Sequence, residues 1–166
     1  AYDGRVRKLD PSDGSVIWTT TDFGTYVYSA YGLVCDLDGY VYVGAYDGRV
    51  RKLDPSDGSV IWVSAYLAIF PHVLTCDPNG DVYVGLYDGK VRKLDSSDGS
   101  VIWTSADFGT YARGLDCDPD GYIYVGADDG KVRKLNPSDG STLWTNVDFG
   151  TYIQGLAMAY YAGWGN

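Results

Sequence analysis

Short hydrophobic runs alternate with turn-forming residues along the whole chain. Residues 113–145 show the pattern clearly, and there it predicts four strands: Arg113–Cys117, Tyr122–Ala127, Lys131–Asn136 and Ser141–Thr145. Each run is only five or six residues long, which is typical of a strand and too short for a helix of ordinary length. This part of the chain therefore predicts one four-stranded sheet.

The connections between these runs are strong turn signals. Asp118–Gly121 combines a proline that presets the backbone with a glycine that accepts the left-handed conformation. Asp129–Gly130 is a two-residue hairpin signal, and Pro137–Gly140 ends in the same Asp-Gly pair. Three tight turns in succession predict an antiparallel meander.

Some strands carry large residues on both faces. Residues 40–43 read Tyr-Val-Tyr-Val, so neither face of this strand carries a small or charged side chain. A sheet that is covered on both sides favours this pattern, whereas a half-exposed sheet favours alternation of hydrophobic and polar residues.

The whole unit repeats four times. The segment Tyr2–Trp18 recurs unchanged at Tyr46–Trp62, and close variants of it end at Trp103 and Trp144. A period near 41 residues with four strands per unit predicts an all-β fold, a β-propeller of four-stranded antiparallel blades. We expect a single domain over 1–166, with repeats at about 1–44, 45–85, 86–126 and 127–166.

Composition excludes several other classes of protein. The chain has 22 acidic residues, all of them Asp, against 13 Lys and Arg, and its formal net charge is −9. The absence of Glu argues against a helical protein, and the acidic balance argues against a general nucleic-acid partner. No apolar run approaches the ~18 residues of a membrane span.

The segment VYVGAYDGRVRKLDPSDGSVIW resembles the PQQ-like (quinoprotein-type) propeller repeat, and DPDGYIYVG has some likeness to the NHL repeat. In the PQQ-like family, the tryptophan of the last strand docks on the adjacent blade beside the turn glycine. The resemblance therefore implies inter-blade docking by Trp18, Trp62, Trp103 and Trp144.

The resemblance does not extend to quinone chemistry. Quinone-dependent dehydrogenases of this fold use an adjacent Cys pair and a calcium site that includes Glu, and this chain has neither feature. The Asp-rich turns are typical of tight turns rather than of calcium loops. Cys35, Cys76 and Cys117 occupy one repeat position that Met158 fills in the fourth copy, which favours core packing. We therefore expect no cofactor and no metal.

One repeat position varies where its surroundings are nearly constant. It is occupied in turn by Tyr31, His72, Arg113 and Gln154, just before the innermost strand. In a propeller this position lies near the mouth of the central channel. Two interpretations remain open: a ligand-binding pocket, or ordinary loop variability.

The chain begins at a third strand and ends after a first strand. One blade is therefore expected to be shared between the two termini, either in a four-bladed ring or in half of an eight-bladed dimer. The aromatic segment Ala157–Asn166 lacks the turn and the second strand of a full repeat. Unpaired strand edges and this segment favour self-association.

These features predict a non-catalytic propeller that acts as a structural, interaction or self-assembling module. One alternative is a carbohydrate-binding propeller with repeated sites, and another is an enzyme with a channel-mouth site near His72. The expected partners are a second copy of the chain and a glycan or protein ligand. The composition and the family resemblance favour an extracellular or periplasmic location.

Overall fold

Every regular element in the described part of the protein is a β-strand. The computed structural model describes residues 3–24, 32–68 and 70–157. Its fourteen strands form four antiparallel sheets, here named A to D. They are β1 (Arg7–Leu9) and β2 (Val16–Thr19) in sheet A; β3 (Leu33–Cys35), β4 (Val41–Gly44), β5 (Val50–Leu53) and β6 (Val60–Val63) in sheet B; β7 (Pro71–Cys76), β8 (Val82–Leu86), β9 (Val91–Leu94) and β10 (Val101–Thr104) in sheet C; and β11 (Ala112–Cys117), β12 (Ile123–Ala127), β13 (Val132–Leu135) and β14 (Thr142–Thr145) in sheet D.

The strand prediction for residues 113–145 is confirmed, because every strand end of sheet D lies within one residue of its predicted position. Each four-stranded sheet is a meander, in which consecutive strands are neighbours. No helix in the described ranges has the length and apolarity needed to cross a bilayer.

Aspartate and glycine fix the turns. Before the last strand of sheet A, the Asp10 carboxylate accepts hydrogen bonds from the amide and the hydroxyl of Ser12. The amide of Gly14 donates to the Asp10 carbonyl at 2.8 Å, and Gly14 adopts a φ of 75° that disfavours other residues. The same arrangement recurs before the last strands of sheets B and C, and in sheet D Asn136 takes the place of the aspartate, which explains the near-constancy of this sequence.

The hydrophobic core lies between successive sheets. The first strands β3, β7 and β11 contact one another in sequence, so they share one side of the molecule. Buried clusters combine residues of sheets A and B, of B and C, and of C and D. All five residues of β8 are buried, as expected for a strand covered on both faces.

A row of three side chains runs across each four-stranded sheet. In sheet B, Tyr42 is paired in register with Lys52, and Lys52 is paired with Trp62. The Lys52 ammonium lies 5.4 Å from the centre of the Tyr42 ring. This arrangement places the tryptophan on the face that contacts the following sheet.

The two ends of the chain are incomplete blades within the described residues. Sheet A has two strands, and residues 146–157 add no strand after β14. Residues 1–2 and 158–166 lie outside the described ranges, so the blade shared between the termini stays a prediction.

Candidate functional site

Three of the four predicted docking tryptophans join consecutive sheets. The indole N–H groups of Trp18, Trp62 and Trp103 donate to the carbonyl oxygens of Pro55, Ser96 and Pro137, respectively, at 3.0–3.1 Å. Their rings cover Gly58, Gly99 and Gly140, where an added Cβ would lie 2.5–2.6 Å from Cε3 of the ring. Glycine is required at these positions because any side chain would overlap the indole.

The fourth tryptophan is placed differently. Trp144 is 44% exposed, whereas each of the other three is 8% exposed. It stands on the last strand of sheet D, which has no following sheet among the described residues. Docking of Trp144 therefore stays a prediction.

A second contact between sheets pairs an arginine with the phenylalanine that follows the last strand of another sheet. The Arg51 guanidinium of sheet B lies 4.8 Å from the ring centre of Phe23, which follows sheet A. The Arg133 guanidinium of sheet D lies 4.7 Å from the ring centre of Phe108, which follows sheet C. Each arginine also forms an ion pair with an aspartate four residues earlier. Positive charge over an aromatic face adds to the packing of these contacts.

The best candidate for a ligand-contacting surface is an aromatic cluster that crosses sheets B, C and D. We call it the aromatic row, and its members are Tyr46, Phe70, His72, Tyr87, Tyr111 and Arg113. The ring centres of Tyr46 and Phe70 are 3.9 Å apart, and those of Phe70 and Tyr87 are 5.3 Å apart. Phe70 adopts a φ of 61°, which is strained for an aromatic residue.

Tyr87 brings two of the sequence-predicted residues together. The His72 ring stacks on Tyr87 with centres 5.0 Å apart and an interplanar angle of 26°. The Arg113 guanidinium lies 5.5 Å from the ring centres of both Tyr87 and Tyr111. Arg113 also donates from Nε to the Asp128 carboxylate, an ion pair between half-buried side chains.

The electrostatics of this cluster follow from those contacts. Burial lowers the pKa of His72, the Arg113 charge lowers it further, and Asp128 opposes both effects. The hydrogen bond to Asp128 raises the pKa of Arg113. The cluster therefore presents a neutral imidazole beside a permanently charged guanidinium at neutral pH.

Of the other two residues of the variable position, Gln154 is not part of this cluster, because it is exposed and lies past the last strand of sheet D. Tyr31 lies outside the described residues. Ligand binding by Tyr31, His72, Arg113 and Gln154 stays a prediction. The hypothesis drawn from the sequence missed Tyr46, Tyr87 and Asp128. The signal that could have found them is their shared position immediately before the Asp-Gly hairpin, where Asp128 replaces tyrosine.

The exposure of the three cysteines decreases along the chain. Cys117 is buried, Cys76 is half-buried and Cys35 is exposed. The prediction of core packing is therefore wrong for Cys35, because the described part of the chain has no first or second strand in sheet A to cover β3. Burial raises the pKa of the Cys117 thiol to about 12, and it also raises the pKa of Cys76.

Acidic side chains line one shallow groove at the end of sheet D. The groove has a volume of about 590 Å³, and its lining includes Asp128, Asp129, Lys131, Asp148 and Tyr152. Arg133 holds the pKa of Asp129 below its usual range. No group of three or more metal-ligating side chains occurs in residues 3–24, 32–68 and 70–157.

Solved structures show the same fold at low sequence identity. The computationally designed Ika8 protein superposes with a TM-score of 0.82 and 18% identity, over 96% of this chain and 48% of its own. BamB from Moraxella catarrhalis gives 0.72 and 22%, over 87% of this chain and 43% of its own. The designed Ika4 protein gives 0.76 and 17%, over 87% of this chain and 86% of its own. The chain thus spans about half the length of two of these structures.

A search of curated proteins finds no match. The PQQ-like family model that is described as outer membrane protein assembly factor BamB matches residues 2–152, which is most of the chain. With its repeated meanders and tryptophan–glycine contacts between sheets, the chain is a β-propeller that belongs to this PQQ-like, BamB-type family.

Proposed function

We propose that this chain is a non-catalytic β-propeller that acts as a structural, interaction or self-assembling module, with the aromatic row as its ligand-contacting surface. The observation that carries the proposal is the continuous contact from Tyr46 through Phe70 and Tyr87 to Tyr111. Aromatic residues and arginine dominate the energetics of protein interfaces, and rigid placement reduces the entropy lost on binding.

The exposed parts of the row suit an extended protein segment. Tyr46 and Tyr111 are exposed at its two ends, and the half-buried Arg113 guanidinium lies beside the rings of Tyr87 and Tyr111. Asp128 fixes the guanidinium through a single Nε contact. A partner with an acidic or carbonyl-rich segment flanked by apolar side chains would complement this surface.

The potential nucleophiles support a non-catalytic role. The hydroxyls of Ser12, Ser56 and Ser97 donate to the carboxylate two residues earlier, which is a turn-stabilising contact. The raised pKa of Cys117, about 12, keeps its thiol protonated at neutral pH and weakly nucleophilic.

Peptide selection tests the proposal. A random peptide library is panned on the wild-type protein, and the affinity of the selected peptides is measured by calorimetry. We expect Tyr111→Ala and Arg113→Ala to weaken binding by about tenfold or more, as for interface hot spots. The matched control is Leu37→Ala, an exposed residue in the turn at the other end of the sheets. Equal effects of Leu37→Ala and Tyr111→Ala would overturn the proposal.

A carbohydrate ligand is the second candidate. Tyr46-Asp47 and Tyr87-Asp88 repeat an aromatic ring beside a carboxylate, a combination that can stack on a sugar and accept hydrogen bonds from its hydroxyl groups. A glycan array followed by calorimetry separates the two ligand classes. Several equal sites per chain would favour the carbohydrate, and one site would favour the protein segment.

An enzyme with a site at His72 is the remaining alternative. A panel of hydrolase and oxidoreductase substrates, compared between wild type and His72→Ala, tests it directly. Activity in the wild type that the variant loses would replace the non-catalytic proposal.

We also propose that the protein works in the periplasm or outside the cell. The description of the matching family names an outer membrane protein assembly factor, which supports this assignment. Fractionation of the source cells, followed by immunodetection of the chain, tests it.

A further inference from the structure

We propose that the two open ends of the propeller, Trp144 at one end and the Gly14 turn at the other, dock head to tail with a second copy of the chain and form two shared blades. This inference rests on the self-assembling part of the proposed function and assigns the surface that carries it. The two ends are complementary because each is half of a contact that the chain already makes three times.

The first half of this tryptophan–glycine contact is the exposed indole of Trp144. Trp18, Trp62 and Trp103 are 8% exposed because the next sheet covers them, and Trp144 is 44% exposed. The other end supplies the matching glycine. A Cβ on Gly58, Gly99 or Gly140 would overlap an indole, whereas Gly14 has the same backbone conformation and nothing within 4 Å among the described residues.

The arginine–phenylalanine contact is divided in the same way. Arg51, Arg92 and Arg133 are 9–15% exposed in their side chains, whereas Arg7 is 36% exposed. Phe23 and Phe108 are half-buried beneath an arginine of the next sheet, whereas Phe149 is exposed. A second copy would place its Arg7 over Phe149 and its Pro11 carbonyl in reach of the Trp144 indole N–H, because these residues occupy the equivalent repeat positions.

The chain after β14 already begins the blade that the second copy would finish. Ile153 donates its amide to the Ala127 carbonyl at 3.2 Å, and its side chain lies against Gly126. Leu156 lies against Gly114 of the first strand of sheet D. These residues stand where the innermost strand of the next blade belongs, and β1 and β2 of a second copy would supply its third and fourth strands.

A second copy fits better than closure within one chain. The single chain leaves Trp144 and Gly14 apart, although its other three contacts are formed. The same chain superposes better on half of the Ika8 protein, with a TM-score of 0.82 over 96% of its length, than on nearly the whole Ika4 protein, with a TM-score of 0.76 over 87% of its length. The arrangement of its four sheets is therefore nearer to that of half of a protein about twice as long, and two copies related by a twofold axis would close it.

Mass measurement by light scattering and analytical ultracentrifugation tests the interface. We expect wild type to have the mass of two chains, and we expect Trp144→Ala to weaken association by about 30-fold or more. Leu143→Ala is the matched control, because this position is 47–48% exposed in all four repeats and a docked blade does not cover it. This variant should remain a dimer.

A mixing experiment distinguishes association from closure within the chain. Gly14→Val blocks one end of the contact and Trp144→Ala removes the other, so each variant alone should be monomeric. An equimolar mixture restores one intact contact per pair, and we expect it to form a heterodimer.

The outcomes separate this inference from the proposed function. A dimer that survives both substitutions would leave self-assembly standing and overturn this interface. A wild-type monomer, or a mixture that gives no heterodimer, would overturn the inference and leave ligand binding by the aromatic row to its own test. Assemblies heavier than two chains that need both Trp144 and Gly14 would overturn the closed pair.

Discussion

The indole ring of Trp62 lies so close to Gly99 of the next sheet that a Cβ atom on the glycine would be 2.6 Å from Cε3 of the ring. The indole N–H of Trp62 also donates to Ser96 in the same turn, at 3.0 Å. The two contacts fix the distance and the orientation between sheets B and C. Because the same pair of contacts recurs between A and B and between C and D, it sets the geometry of the whole propeller.

Replacement of this glycine should separate packing from backbone strain. In Gly99→Ala the new methyl overlaps the indole, and alanine is also strained at a φ of 76°. We expect the free energy of unfolding to fall by about 1–2 kcal/mol from the backbone and by about 1–3 kcal/mol more from overpacking. Urea denaturation measures the loss.

Gly109→Ala is the control for this prediction. Gly109 has a φ of 72° and nothing within 4 Å of an added Cβ among the described residues, so alanine there adds only backbone strain. If Gly99→Ala and Gly109→Ala lower the free energy of unfolding equally, the Trp62 contact does not restrict the residue at position 99.

The half-buried Lys93 of sheet C should contribute more to the free energy of unfolding than its counterpart in sheet B. The Lys93 ammonium lies 3.3 Å from Asp77 and 3.0 Å from Asp81, and the Asp77 side chain is almost completely buried. Lys93→Met leaves that carboxylate buried beside the Tyr83 hydroxyl without its cation. We expect a loss of about 2–4 kcal/mol in the free energy of unfolding, since removal of one member of a buried ion pair is costly.

Lys52→Met is the matched control for this lysine, because Lys52 occupies the same repeat position and donates to the Ser96 carbonyl. Its replacement should cost about 1 kcal/mol, the value of an ordinary hydrogen bond. The two variants are compared by urea denaturation. A double-mutant cycle with Asp77→Asn then measures the coupling, and a coupling energy near zero would contradict the prediction.

The blades could be predicted from the sequence, but the side-chain contacts of the aromatic row could not. The Asp-Gly turns and short apolar runs determine hydrogen bonding between consecutive strands, so the strand ends of sheet D were predicted to within one residue. The aromatic row depends on which side chains of different blades meet. Tyr87 touches both His72 and Arg113, and no local pattern encodes that distance.

The exposure of Cys35 and Trp144 was unpredictable for a related reason. Both residues repeat a position that is otherwise covered by a neighbouring blade, and the repeat pattern does not say where the series of blades ends. The sequence therefore indicates which neighbouring blade covers a position that lies between two blades. The burial of the same position in the first and last sheets depends on the tertiary and quaternary arrangement.

The single histidine provides a pH-dependent test of the aromatic row. Burial and the Arg113 charge lower the pKa of His72 from 6.5, and Asp128 opposes this. The unfolded chain therefore binds more protons than the folded one between the lowered pKa and about 6.5. The resulting contribution to stability is complete above that window and is lost as the pH falls through it.

Two measurements check this titration. In an NMR titration, Arg113→Ala should raise the pKa of His72, because it removes a repelling cation and frees the Asp128 charge. Arg133→Ala, which removes an arginine paired with Asp129 instead, is the control and should leave that pKa unchanged. In pH-dependent denaturation, His72→Gln should flatten the stability profile near pH 6, and an unchanged profile would contradict the assignment.

The exposed Cys35 should react with iodoacetamide faster than the other two cysteines in the undocked chain. Trp144→Ala is used because we expect it to be monomeric. At pH 8, Cys76 and Cys117 should both react more slowly than Cys35, because both are more buried and burial raises the pKa of both thiols. A difference of at least about tenfold is expected, since the thiolate is the reactive form. Mass spectrometry of peptides gives the rate at each site.

The same reaction also reports on the docked pair. In the wild-type dimer, the first strand of the shared blade would lie beside β3, just as β7 lies beside β3 and β11 lies beside β7 in the single chain. Alkylation of Cys35 should therefore slow in wild type relative to Trp144→Ala, whereas alkylation of Cys117 should not change. Equal rates for Cys35 in a confirmed dimer would show that the second copy docks elsewhere.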